Sequence, residues 1–238
     1  MTSSGTTVDV GNSSIGVGRW LDGRVTVERF ANPREAAARL AGRVAVVSVA
    51  PERLDALLEA LTPERAEDVL VLRRAPADLG PAELLASAGA DRVAIALAAR
   101  PGPAVVIDAG TAVTVEIVEA SGRYAGGFIG PGPAAAASGL SAAAAQLPRL
   151  DGQPAPIAAG TSTATALAAG LWGMAVGGVD RLVDAALAAL PAGPPPRLIA
   201  TGGWGADWAA ASRHRGVWVE PDLVHRGIAR WAGWPLQR

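Results

Sequence analysis

Val8-Asp9-Val10-Gly11-Asn12-Ser13-Ser14-Ile15-Gly16-Val17 and Ile107-Asp108-Ala109-Gly110-Thr111-Ala112-Val113-Thr114-Val115-Glu116 are two versions of one phrase. Each is an apolar strand-like run that ends in Asp-x-Gly, passes through small hydroxyl or amide residues, and enters a second apolar run. The two aspartates are 99 positions apart (108 − 9), about the length of a small domain. The repeat predicts two related halves, each bringing one carboxylate and one tight glycine turn to a shared cleft. Glycine lets a backbone approach a phosphate chain closely, and turn N–H groups can be aimed at it. A nearby carboxylate can hold Mg²⁺ directly or through water. Asn12, Ser13, Thr111 and Thr114 can donate to phosphate oxygens. An isolated Asp-x-Gly is an ordinary strand-end turn; two in matching context point to a nucleotide triphosphate with its metal. No GxxxxGK[ST] stretch is present, so the site is not of the Walker type.

Outward from these turns the pattern stays regular. Residues 7–30 read as a meander with strands at Val8–Val10, Ile15–Gly18 and Val25–Val27, the last two joined by an Asp22-Gly23 hairpin. Helices are expected over 33–41 and 51–61, each opened by a proline, with strands at Val44–Val49 and Val69–Leu72 and a helix over 91–100. The order then recurs. Strands are expected at Val105–Asp108 and Val113–Glu119, with a turn at Ser121-Gly122 leading into Tyr124. A glycine-rich loop is expected over 126–132, helices over 134–147 and 162–190, a strand at Leu198–Ala200, and a last helix over 222–232. This predicts an α/β fold of two similar domains, 1–102 and 103–238. Gly170, Gly173, Gly177 and Gly178 lie largely on one face of the 162–190 helix. They suggest a close helix approach, within the domain or across a dimer.

Composition narrows the chemistry. The 238 residues carry a formal net charge of −1, 50% hydrophobic residues and no cysteine. Disulfides, thiolate catalysis and Cys-based zinc sites are excluded. All 21 basic residues are arginine, so Schiff-base chemistry and a phosphate-binding lysine are excluded too. No basic patch suggests nucleic acid. Residues 1–7 lack a signal-peptide pattern, and no apolar run reaches membrane-helix length, so a soluble cytoplasmic protein is expected with no membrane partner. Arg73-Arg74 and Arg213-His214-Arg215 read as solvated surface. Among the seven tryptophans, Trp204 beside Thr201-Gly202-Gly203 is a candidate adenine neighbour. Asp91 opens a helix, as an N-cap or as a general base for a hydroxyl attacking a γ-phosphate; Arg92 could pair a substrate carboxylate.

The stretches VDVGNSSIG (8–16), GADR (89–92), IDAGTAVT (107–114), GGFIGPG (126–132), GTST (160–163) and TGG (201–203) resemble, in order and approximate spacing, the type III pantothenate kinases. The resemblance runs over nearly the whole chain. It implies a duplicated ribonuclease-H-like fold of the actin-like ATPase and sugar kinase superfamily. It also implies ATP-dependent phosphorylation of pantothenate to 4′-phosphopantothenate, the first step of coenzyme A synthesis. By that resemblance Asp9, Val10, Gly11, Asn12, Ser13, Ser14, Ile15 and Gly16 cradle the ATP phosphates, with Asp9 near Mg²⁺, and Thr111 contacts ATP. Asp91 is the proton acceptor, and Gly89, Ala90, Asp91 and Arg92 contact pantothenate. Asp108 helps bind a monovalent cation, K⁺ or NH₄⁺, and Thr163 contacts pantothenate across a homodimer interface. Ala82 and Leu85 stand where the family carries a tyrosine and a proline, and Glu116 stands where it usually has Asp.

Overall fold

The computed structural model describes residues 5–144 and 146–234. The first sheet begins with β1 (Gly5–Val10), β2 (Ile15–Leu21) and β3 (Arg24–Phe30), an antiparallel meander. Asp22 and Gly23 both take positive φ, 49° and 73°, as the right-handed twist of a two-residue hairpin requires. Helix α1 (Pro33–Ala37) is capped by the Asn32 side chain, which accepts from the Arg34 N–H. Then follow β4 (Arg43–Ser48), α2 (Pro51–Glu59), α3 (Pro63–Glu67), β5 (Val69–Val71), α4 (Ala82–Ser87) and α5 (Ala90–Ala98). Strands β4 and β5 join parallel, giving the order β3-β2-β1-β4-β5. Val8, Val10, Ile15, Val17, Val44, Val46, Leu54 and Leu57 form the core against this sheet.

The second sheet repeats the first. It is built from β6 (Ala104–Ala109), β7 (Ala112–Val118), β8 (Tyr124–Pro131), β9 (Arg197–Thr201) and β10 (Trp218–Val219), in the order β10-β9-β6-β7-β8. Strand β6 pairs antiparallel with β7 and parallel with β9, and β9 pairs parallel with β10. Read from the meander edge, both sheets run 3-2-1-4-5, and each Asp-x-Gly turn closes the corresponding central strand. Helices α6 (Pro133–Ala143), α7 (Thr163–Ala189), α8 (Gly205–Ala211) and α9 (Leu223–Trp231) complete the chain. The core of this half joins Val105, Ile107, Val115 and Ile117 to Trp172, Val176, Val179, Val183 and Trp208.

Two compact units emerge from the contacts. One holds the described residues to Pro101, Gly122–Tyr124 and the chain from Asp222; the other holds Gly102–Ser121 and Ala125–Pro221. Thus α9, which lies within the 103–238 range read as one domain, packs in the first unit. It lies on α5 and β1. Gly227 permits the closeness: a Cβ there would sit 2.9 Å from Ala94 Cα and overlap the Ala94 carbonyl. The Arg230 guanidinium donates to Leu97 O at 2.9 Å and to the carbonyl oxygens of Ala98 and Arg100. It thereby gathers the carbonyl oxygens at the end of α5 and complements the helix dipole.

Several expectations are corrected. Residues 124–131 form a strand where a glycine-rich loop was expected. Their glycines serve close approach: a Cβ on Gly127 would overlap Val115 O and lie 3.0 Å from Glu116 Oε2. That room accommodates the fully buried Glu116. The short elements α3, α4, α8 and β10 have no counterpart in the sequence reading. The expectation that no apolar run reaches membrane-spanning length also fails: α7, at 27 residues, is long and apolar enough by length and composition. One face of α7 is nevertheless core, and it carries the buried Asp180. The Asp180 carboxylate accepts from Trp208 Nε1 (3.1 Å), Ser212 Oγ (2.6 Å) and the Arg213 N–H (3.2 Å). Arg213 also pairs with Asp184, so the 213–215 cluster is tied to α7 rather than purely solvated. Among the described residues the α7 glycines do not mark a tight approach. Cβ atoms on Gly170, Gly177 and Gly178 would meet nothing within 4 Å, and only Gly173 faces a neighbour, Ile157.

Candidate functional site

In the first unit the site residues converge on the end of β1. Asp9 is the penultimate residue of β1 and Val10 the last; Gly11 to Ser14 form the turn, closed by Gly11 N–H donating to Ser14 O at 3.0 Å. Ile15 and Gly16 open β2. Asn12 and Ser13 are exposed, as side chains meeting a phosphate must be. The Asp9 carboxyl is pushed up to about 6, first by burial and then by the negative charge of Asp91, with the Arg29 guanidinium opposing. A second carboxylate close enough to raise the cost of ionising Asp9 makes a place that favours a cation.

Asp91 reaches this place from α5. It is the second residue of that helix and not its N-cap, which is Gly89. Its Oδ1 accepts from the Arg92 N–H at 2.7 Å. A Cβ on Gly89 would lie 2.6 Å from that Oδ1 and 3.3 Å from Val49 Cγ1, so glycine at 89 leaves the carboxylate its position. Ala90 and Arg92 follow in the same first turn, both partly buried. Among the described residues no group of three His, Asp or Glu could hold a metal. The Asp9 carboxylate suits Mg²⁺, which usually takes one or two carboxylates and completes its shell with phosphate and water.

Arg29 and His225 belong to this region and were not foreseen. Arg29 pairs with Gly16 across β2 and β3. His225, on α9, is fully buried. Its Nδ1 lies 2.9 Å from Thr7 Oγ1, which itself accepts from Trp20 Nε1 at 2.9 Å. Cβ atoms on Gly16 and Gly18 would lie 3.0 Å from His225 Nε2 and 2.7 Å from Nδ1. The glycines of β2 are thus the floor on which the imidazole rests. The alternation of glycine and apolar residues over 15–18 was the only available sign, and it names no partner.

In the second unit Asp108 is the penultimate residue of β6, and Gly110 and Thr111 form the turn into β7, with Gly110 N–H donating to Ala112 O at 3.1 Å. Gly202, with φ +84°, lies against this turn; a Cβ there would overlap the Asp108 carboxylate and stand 2.6 Å from Ala109 O. Thr201-Gly202-Gly203 therefore shapes the surroundings of Asp108. The Trp204 Nε1 donates to Gly110 O at 2.9 Å. Its ring meets Trp172 edge-on at 5.8 Å. Thr163 is exposed at the start of α7, beyond a capping box in which Ser162 and Thr165 satisfy one another's backbone. With Gly160, Thr161, Ser162, Ala166 and Leu167 it lines an open surface depression.

A family model described as type III pantothenate kinase matches residues 7–185. A type III pantothenate kinase of Halorhodospira halophila is 36% identical over 258 aligned positions, covering 94% of this chain and 96% of that protein. One of Acidiphilium cryptum is 40% identical over 62% of this chain and 54% of its own length. Other relatives of that name are likewise matched over about half their length. Among solved structures, a Campylobacter jejuni protein described as a Baf family transcriptional activator superposes with a TM-score of 0.65 at 21% identity, covering 96% of this chain and 97% of that one. That likeness speaks to the fold alone.

Proposed function

The chain belongs to the type III pantothenate kinase family, and from that premise we propose that it transfers the γ-phosphoryl group of ATP to the primary hydroxyl of pantothenate, as a cytoplasmic homodimer. The observation that carries the reading is the meeting of Asp91 with Asp9 at the end of β1, inside the two motifs that carry the family pattern. Residues Asp9 to Gly16 hold the phosphates, through turn N–H groups and the Asn12 and Ser13 side chains. Asp9 holds the Mg²⁺ that accompanies ATP; the ion neutralises phosphate charge when bound. Asp91 takes the proton from the pantothenate hydroxyl as its oxygen bonds to the γ-phosphorus and the bond to the β-phosphate oxygen breaks, releasing ADP. Gly89 and Ala90 line the acceptor, and Arg92 pairs its carboxylate. In the second unit Asp108 serves a monovalent cation, K⁺ or NH₄⁺, and Thr111 contacts ATP.

The dimer reading draws on α7. Gly170, Met174, Gly177, Gly178 and Arg181 are exposed at helical spacing, and Met174 is 78% exposed. A second copy covering this face would bring its own Thr163 helix alongside. The experiment that tests the reading is Asp91→Asn. It is expected to lower kcat about 10²- to 10⁴-fold while Mg-ATP binding stays within about threefold of wild type, a change of under about 0.7 kcal/mol. Full turnover by this variant would remove Asp91 from the chemistry.

A further inference from the structure

We propose that the Trp204 indole is a positioning residue for nucleotide binding: it fixes the orientation of the Gly110–Thr111 peptide and so holds Thr111 for its contact with ATP. The proposal rests on the nucleotide reading above. Each central strand ends in the same way in the two halves. After β4, Val49 N–H donates to Val10 O at 3.1 Å; after β9, Trp204 N–H donates to Ala109 O at 3.1 Å. The backbone device is common to both, but valine has no side-chain donor. Only the second half adds an indole N–H, and it goes to the next carbonyl along, Gly110 O, at 2.9 Å.

The consequence follows from peptide geometry. The 110–111 bond is trans, so its C=O and N–H point in opposite directions. A carbonyl of Gly110 held toward Trp204 sends the Thr111 N–H away from it. The following peptide is fixed in the same sense, because Gly132 N–H donates to Thr111 O at 2.9 Å. Gly132 comes so close that a Cβ would overlap Gly110 O and stand 2.8 Å from Thr111 O. Both carbonyls of the turn, Gly110 O and Thr111 O, thus have fixed partners, and the peptides that carry the Thr111 and Ala112 amides are held with them. The indole cannot swing freely, since its ring is set edge-on against the buried Trp172.

The test is equilibrium binding of Mg-ATP to Trp204→Phe, which keeps a ring and loses the donor. Trp208→Phe is the matched control: it also loses an indole hydrogen bond, to Asp180, in the same unit. Trp204→Phe is expected to raise the Mg-ATP Kd roughly two- to tenfold, as for one lost hydrogen bond. The KM for pantothenate should not change, and the thermal midpoint without nucleotide should fall no further than that of Trp208→Phe, whose indole is fully buried. Trp208→Phe is expected to lower that midpoint and leave the Kd within about twofold, under roughly 0.5 kcal/mol. An unchanged Kd in Trp204→Phe, or an equal rise in Trp208→Phe, overturns the proposal. If wild type binds Mg-ATP but does not phosphorylate pantothenate, the acceptor reading fails, and the comparison of Kd values still decides the role of Trp204. If wild type does not bind Mg-ATP, both fall.

Discussion

Gly89→Ala separates the placing of the catalytic carboxylate from the stability of the fold. Gly89 has φ −57° and ψ 146°, which alanine adopts without strain. The added methyl would stand 2.6 Å from Asp91 Oδ1, whereas ordinary carbon–oxygen contact is near 3.2 to 3.4 Å. The carboxylate must therefore retreat by about 0.6 to 0.8 Å, and the 2.7 Å hydrogen bond from the Arg92 N–H is lost or lengthened. A side-chain terminus can yield at small cost, so the loss of stability should be no more than about 1 kcal/mol, comparable to replacing glycine by alanine at a helix cap. Catalysis has no such freedom: a displacement near 1 Å can lower the rate about 10²-fold. Steady-state assay with Mg-ATP and pantothenate should give a kcat reduced roughly ten- to a hundredfold, with urea unfolding near that of wild type. Gly139→Ala, at an exposed site on α6 where a Cβ meets nothing within 4 Å, should keep full activity and gain about 1 kcal/mol of stability. A Gly89→Ala enzyme with wild-type kcat would refute the claim that Asp91 acts from where it lies.

His225 gives the fold an acid-sensitive point. Its pKa is lowered to about 3, by burial first and by Arg29 second, against the raising effect of Thr7. Between pH 6.5 and 3 the unfolded chain takes a proton that the native chain refuses. Stability contributed here is therefore present above pH 6.5 and falls as pH drops through that window, by up to about 1.4 kcal/mol per pH unit. Asp9 acts oppositely, since its native pKa of about 6 against 3.8 makes stability fall as pH rises from 4 to 6. The difference between wild type and His225→Gln unfolding free energies, measured from pH 4 to 7, isolates the histidine; a flat difference would show that it does not titrate as described. Met174→Glu should convert a dimer to monomer in light scattering, and an unchanged mass would remove the α7 face as the interface. Gly202→Ala, at φ +84° and against Asp108, should raise the K⁺ concentration for half-maximal activity several-fold; unaltered K⁺ dependence would detach Asp108 from the cation.

The duplicated phrase carried most of the architecture, because a strand-turn-strand unit ending in Asp-x-Gly is written locally. Strands β1 to β7 and β9, the Asp22-Gly23 hairpin and the two aspartate turns follow from alternation and turn chemistry. Glycines 126 and 127 misled because local reading assigns a glycine run to a loop, whereas here the need for glycine comes from the neighbouring strand at Val115 and Glu116. Helix α9 could be placed in the chain but not in space, because its partners Ala94 and Thr7 lie more than a hundred residues away. The same holds for Trp204, whose hydrogen-bond partner Gly110 is 94 positions distant. Asp91 was legible as a helix-opening acid; that it meets Asp9 depends on the packing of α5 against β4 and α9, which no spacing encodes.

The most direct test is the direct detection of 4′-phosphopantothenate formed by the purified chain from Mg-ATP and pantothenate, in K⁺ or NH₄⁺ and again in Na⁺ alone. The account predicts product in wild type that depends on the cation and is lost in Asp91→Asn. ATP binding with no product from pantothenate under either cation would contradict it.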